Sequence, residues 1–175
     1  VITIVGEGGI GKTAIALKVA YDILDSKNCP FDAIVWTSSK TSQLTYQEIV
    51  RIEGAISDSL GMFQDVAQQL GGSLSSENYL NEVLEYLKEF KILLILDNLE
   101  TVLDDRIRSF LEKMPAGSKV LITSRIGLGA FEYPYKLLEM DGEDSVQLMR
   151  ALLKMRGVEK LFPNSHEKLL NYCSR

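Results

Sequence analysis

Three short stretches of this 175-residue chain carry residue types that could do chemistry together. The first is Gly6-Glu7-Gly8-Gly9-Ile10-Gly11-Lys12-Thr13, which matches G-x-x-x-x-G-K-[ST] at every fixed position. Glycines let a backbone take angles closed to other residues and turn its N–H groups toward an anion. A helix opening at the loop adds its positive end. The pattern is that of a phosphate cradle, with Gly6, Gly8, Gly9, Ile10, Gly11 and Ala14 around the anion. Lys12 would reach the β- and γ-phosphates of a nucleotide, and the Thr13 hydroxyl would ligate Mg²⁺.

The second stretch is Lys91-Ile92-Leu93-Leu94-Ile95-Leu96-Asp97, an apolar strand ending in a carboxylate. Mg²⁺ prefers oxygen ligands and keeps most of its waters beside one or two carboxylates. Asp97 suits that role, the Walker-B position. Asn98 follows it. A fast ATPase wants a carboxylate near the attacking water. Asn98 can orient water but cannot accept its proton. Glu100 is the nearest substitute, and its position reads as simply exposed. Slow turnover is the expectation.

The third stretch, Gly117 to Arg125 (GSKVLITSR), is a turn, a strand and a basic residue. A guanidinium at that strand end can stabilise and report a γ-phosphate. Thr123 and Ser124 are weaker polar candidates. Phe31, Trp36 and the Leu and Met residues at helical spacing read as core, and the lone His166 as surface.

These stretches need elements to hold them. Val1 to Val5 reads as a buried strand, Lys12 to about Leu24 as a helix bearing Ile15, Val19, Ile23 and Leu24, and Phe31 to Thr37 as a second strand. Thr45 to Leu60 reads as a helix, with Thr45 and Glu48 as a capping box, Ile49, Ile52, Ile56 and Leu60 on one face, and Gly61 as its stop. Gly71 to Ser76 reads as a loop and Tyr79 to Phe90 as a helix. Ile92 to Leu96 is a strand covered on both faces. A helix over 105–114, a strand over 119–124, a short strand over 135–138 and helices over 144–155 and 165–173 complete the reading. Alternating strands and helices give a parallel sheet, and ligands bind outside the carboxyl ends of its strands.

Composition narrows the rest. The chain is 46% hydrophobic and 25% charged, with a net charge of −5. That is ordinary globular usage and excludes disorder or a coiled coil as the main architecture. The acidic balance, with no run of five like charges, argues against direct nucleic-acid contact. Cys29 and Cys173 are too few for a disulfide framework and read as reduced thiols in a cytoplasmic protein. No apolar run approaches the ~20 residues of a membrane span. The chain opens at Val1 inside an apolar run, which reads as a fragment of a longer protein.

Taken together, the motifs resemble the NB-ARC family of STAND-class P-loop NTPases. GEGGIGKT resembles its phosphate loop, FDAIVWTSSK its second strand, ILLILDNLE its kinase-2 segment, GSKVLITSR its sensor-1 strand with the γ-phosphate-sensing Arg125, and YKLLEMDGEDSVQLM the start of its helical lid. The resemblance implies an α/β P-loop NTPase with a five-stranded parallel sheet, order 5-1-4-3-2, over residues 1–138. Residues 139–175 would begin a helical lid. It implies ATP or ADP with Mg²⁺ as ligands. It also implies a switch that is closed with ADP and self-oligomerises with ATP, flanked by effector and sensor domains. Departures are Asn98 in place of a second acid and the absence of the family's Gly-Leu-Pro-Leu and winged-helix segments. Three other readings stay open: a motor or loader ATPase of the AAA+ type, a small-molecule kinase, and a scaffold that holds ADP permanently. The 126–134 segment has no Lys or Arg, which counts against a kinase with a basic lid loop.

Overall fold

The computed structural model describes residues 1–40, 42–44, 49–51, 56–72, 78–158 and 168–170. They form two compact units, Val1–Leu137 and Leu138–Arg175.

The first unit is built on five parallel strands: β1 (Ile2–Val5), β2 (Ala33–Ser38), β5 (Ile92–Asp97), β6 (Lys119–Ser124) and β7 (Tyr133–Lys136). Their spatial order is β2-β5-β6-β1-β7. Counting only these strands along the chain, that is 5-1-4-3-2, as expected. The strand carrying Arg125 at its end therefore separates the Asp97 strand from the phosphate-loop strand.

The side chains of β5 show why the sheet is covered on both faces, since all six of its residues are buried. Ile92, Leu94 and Leu96 join one core with Val35, Val120 and Ile122. Leu93 and Ile95 join another with Ile4, Leu121 and Ala16. That is the period-2 alternation of a strand. The first core is closed by α2 (Ser59–Gln69), α3 (Tyr79–Glu89) and α4 (Asp105–Glu112), where Phe63 and Phe110 meet edge to face with centroids 5.0 Å apart. The second core is closed by α1 (Lys12–Leu24).

One expectation is corrected. The helix expected over 45–60 falls partly outside the described residues. Where they are described, Ser42–Leu44 (β3) and Ile49–Arg51 (β4) pair as antiparallel strands. The helix begins only at Ser59, because the Asp58 side chain accepts the Gly61 N–H at 2.8 Å and caps it there. Gly61 thus sits in the first turn and stops nothing. β-branched Ile49 and Val50 suit a strand as well as a helix face, so apolar spacing alone could not arbitrate.

α1 turns small residues to the sheet. Its sheet-facing residues are Ala16, Ala20 and Ile23, whereas Ile15, Val19 and Leu24 are 37%, 37% and 61% exposed. Alanines i and i+4 apart let the helix lie close to β1 and β6, which it packs against. Trp36 and Phe31 pack against this core as expected. Cys29 is a free, exposed thiol. Most of the 71–76 loop, His166, Cys173 and most of the helix expected over 165–173 lie outside the described residues. Residues 168–170 of that stretch are helical.

The second unit contains α5 (Gly142–Met155), whose N-cap Asp141 accepts the Asp144 N–H at 2.8 Å. Val146 and Leu169 are its buried residues. No helix among the described residues is long and apolar enough to cross a membrane.

Candidate functional site

Parallel register brings the strand ends together. Val5 pairs with Ser124, and Ser38 pairs with Asp97. The carboxyl ends of β1, β2, β5 and β6 therefore share one edge of the sheet, the edge where open α/β folds bind ligands.

At that edge the loop from Gly6 to Gly11 leads into α1. Gly9 and Gly11 have φ of 83° and 105°, a left-handed region that favours glycine. Gly11 caps α1 without a side-chain hydrogen bond, whereas Asp58, Asn78, Asp104 and Asp141 cap α2, α3, α4 and α5 with theirs. The first-turn N–H groups of α1 are left for an anion. Gly6 is tightly enclosed: a Cβ there would lie 3.1 Å from both Leu137 O and Ile10 Cγ2. Ile10 therefore braces the loop from behind. Lys12 curls over the loop, its Nζ donating to Gly6 O at 2.9 Å and Glu7 O at 2.8 Å.

Asp97 is 2% exposed, and both carboxylate oxygens are engaged. Oδ1 accepts from Thr13 Oγ1 at 2.8 Å and Thr123 Oγ1 at 2.6 Å, and Oδ2 accepts from Ser38 Oγ at 3.0 Å. Thr123 also accepts the Asn98 N–H at 2.9 Å. Asn98 itself is left-handed, with φ 62° and ψ 40°, and opens a 3-10 turn over Leu99–Thr101. Ser39 and Thr101 brace that turn: Ser39 Oγ donates to Asn98 O, and Thr101 Oγ1 to Ser39 Oγ, both at 2.6 Å.

Arg125 reaches across from the end of β6. Its Nε lies 3.2 Å from Glu100 Oε1, and its backbone N–H donates to Glu100 Oε2 at 3.2 Å. The guanidinium lies against the loop, where a Cβ on Gly8 would be 3.5 Å from its Cζ and Nη2. Glu100 is thus not simply exposed, as its sequence position suggests; its side chain is 13% exposed and holds Arg125.

These groups surround one cavity of about 340 Å³. Gly8, Gly9, Gly11, Lys12, Thr13 and Ala14 form its loop side, and Asp97, Asn98, Thr123 and Arg125 its strand side. Gly6 and Ile10 lie outside this lining. Two residues were missed in sequence. Ser38 orients Asp97, and Lys40 lines the mouth. Both belong to the WTSSK end of the second strand, and a hydroxyl and an ammonium just past a strand end were the available signal.

The donor set fits magnesium. Thr13 Oγ1 and Asp97 Oδ1 are hard oxygens 2.8 Å apart. Adjacent corners of a Mg²⁺ octahedron with ligands at about 2.1 Å are about 3.0 Å apart. Among the described residues no three His, Cys, Asp or Glu side chains gather to hold a metal by themselves.

Comparison with known proteins agrees with this geometry. The NB-ARC domain model matches residues 1–128. The transcription activator GutR of Bacillus subtilis is 33% identical over 129 residues, covering 71% of this chain and 15% of that protein. The crystal structure of a signal transduction ATPase with numerous domains (STAND), carrying a tetratricopeptide repeat sensor, from Pyrococcus horikoshii superposes with a TM-score of 0.57 at 17% identity. It covers 98% of this chain and 24% of that one. PCH-2 of C. elegans gives a TM-score of 0.50 at 11% identity, over 90% of this chain and 40% of that one. At such identities the structural likenesses speak to fold, and the chain spans well under half of each relative. The matched span runs from the phosphate loop through Arg125, and the chain belongs to the NB-ARC family of nucleotide-binding P-loop NTPases.

Proposed function

We propose that this chain is the nucleotide-binding module of a slow ATPase switch. The observation that carries the reading is the convergence of Lys12, Thr13, Asp97 and Arg125 on one cavity beneath the uncapped end of α1. The loop N–H groups and Lys12 hold the phosphates of ATP or ADP. To do so, the Lys12 ammonium exchanges its two loop carbonyls for phosphate oxygens. Thr13 and Asp97 hold Mg²⁺, which neutralises phosphate charge when bound. Arg125 reads the γ-phosphate.

Two features support slow hydrolysis. Asn98 occupies the place of a proton-accepting acid. Glu100, the nearest substitute for that acid in sequence, is engaged by Arg125 through both oxygens. A bound triphosphate therefore persists long enough to act as a signal. In this reading the nucleotide controls self-association of a larger cytoplasmic protein with flanking effector and sensor domains. The likeness to a transcription activator suits an output in gene regulation, made by another part of that protein. Permanently bound ADP is the nearest alternative, favoured by the same two features; an AAA+-like motor is the more distant one.

The test is to denature the purified intact protein, identify the released nucleotide by chromatography, and measure turnover. Stoichiometric ADP with turnover below about one per minute, against the roughly 10 per second typical of enzymes, is the expected result. ADP that never exchanges with added ATP would favour the scaffold. An empty site with rapid turnover would overturn the switch in favour of a motor.

A further inference from the structure

The pairing of Glu100 with Arg125 has a direction. Glu100 takes the Nε side of the guanidinium and the Arg125 backbone N–H. It leaves Nη1 and Nη2, which donate to nothing among the described residues. Of the two, Nη2 lies against Gly8, 3.5 Å from where a Cβ there would sit. A guanidinium carries five N–H donors in a fixed fork, so holding one edge aims the other.

Glu100 is itself held. It sits in the 3-10 turn between Leu99, which is fully buried, and Thr101, which is bonded to Ser39. The turn is fixed to the end of β5, and Arg125 to the end of β6. Arg125 is 65% exposed, so an isolated long side chain there would sample many rotamers.

We propose that Glu100 is the positioning residue of Arg125. It holds the arginine through Nε, so that Nη2 lies against the phosphate loop before nucleotide arrives. The inference rests on the reading of Arg125 as the γ-phosphate sensor and extends it. Glu100 acts through Arg125 and touches no phosphate.

The test is equilibrium binding of ADP and of a non-hydrolysable ATP analogue, both with Mg²⁺, to the intact protein. Wild type is compared with Arg125→Ala, Glu100→Ala, Glu100→Gln and the Arg125→Ala/Glu100→Ala double variant. Arg125→Ala should shift the ratio of the two affinities about tenfold toward ADP, the scale of one charge-assisted hydrogen bond. Glu100→Ala should shift it comparably with ADP affinity unchanged. Glu100→Gln, which keeps the side chain's length and an oxygen that can sit beside Nε, should recover most of the ratio. The double variant should match Arg125→Ala alone.

Tighter analogue binding in Glu100→Ala would overturn the proposal, because Glu100 would then sequester the arginine. Equal losses for both nucleotides with a lowered melting temperature would make the role merely structural and overturn it too. Turnover abolished in Glu100→Gln with binding unchanged would make Glu100 a base instead. If Arg125→Ala itself leaves the ratio unchanged, the sensor reading fails and this inference with it. If only the Glu100 variants leave it unchanged, the sensor reading stands and the positioning role falls.

Discussion

Thr123 Oγ1 donates to Asp97 Oδ1 at 2.6 Å and accepts the Asn98 N–H at 2.9 Å, so one hydroxyl ties the end of β6 to both site residues at the end of β5. Thr123 is 1% exposed, so water cannot replace what it supplies. Thr123→Val keeps the shape and removes both bonds. It leaves the Asn98 N–H without its partner and Asp97 with one donor fewer. We expect a stability loss of about 1–3 kcal/mol in denaturant unfolding, together with weaker Mg²⁺ dependence of nucleotide binding. A variant as stable as wild type would show that the hydroxyl is dispensable.

Lys12→Ala should abolish nucleotide binding. The ammonium is the cavity's cation nearest the loop, held within 2.9 Å of Gly6 O. Fluorescence titration with a labelled ATP analogue gives the answer. Retained micromolar affinity would remove Lys12 from the phosphate site.

Much of this site was legible because its residues are local in sequence. The phosphate loop is one octapeptide, and its strand-loop-helix context lies on either side. Asp97 was legible because an uninterrupted apolar run must stop at a sheet edge. Glu100 was not: its environment depends on Arg125, 25 residues away, and on the 3-10 turn that Ser39 and Thr101 brace. Ser38 was missed for the same reason, since only the β2–β5 register places it opposite Asp97. The sheet-facing side of α1 was not legible, because large apolar residues outweigh alanine in any hydrophobicity pattern. Close approach of a helix to a sheet selects the small residue instead.

Asp97→Asn should weaken the Mg²⁺ dependence of binding while sparing part of the ADP affinity. The amide keeps one oxygen, which can accept from two of the three hydroxyl donors, but loses the charge. Isothermal titration of ADP across a Mg²⁺ series reads this directly. An unchanged Mg²⁺ midpoint would count against Asp97 as a metal residue.

Gly11→Ala tests backbone conformation without altering charge. Nothing lies within 4 Å of a Cβ built there, so crowding is not the issue. Its φ of 105° is the issue, being outside even the left-handed well that alanine tolerates poorly. We expect a cost of about 1–3 kcal/mol, or a rearranged loop. Because Gly11 caps α1, a rearrangement would also turn the first helical N–H groups away from the cavity. Nucleotide affinity should therefore fall more than stability does. Thermal unfolding measured with and without ADP separates the two effects: the ADP-induced rise in melting temperature should shrink or vanish.

Asn98→Asp asks whether the missing acid limits the rate. The backbone accepts the change, because Asn and Asp are the non-glycine residues that best tolerate φ near 62°. The new carboxylate would line the same cavity and offer the attacking water a proton acceptor. Positioned general bases contribute typically 10²–10⁴-fold, and a base not tuned for its task gives less. We expect at least about a tenfold rise in single-turnover hydrolysis, with little change in ADP affinity. The proximity of Asp97 sets the opposing term. Two carboxylates at successive positions raise each other's proton affinity, unless bound Mg²⁺ offsets the added charge. The gain should therefore appear only at saturating Mg²⁺. A rate unchanged at saturating Mg²⁺ would mean that something other than the residue at position 98 holds hydrolysis back.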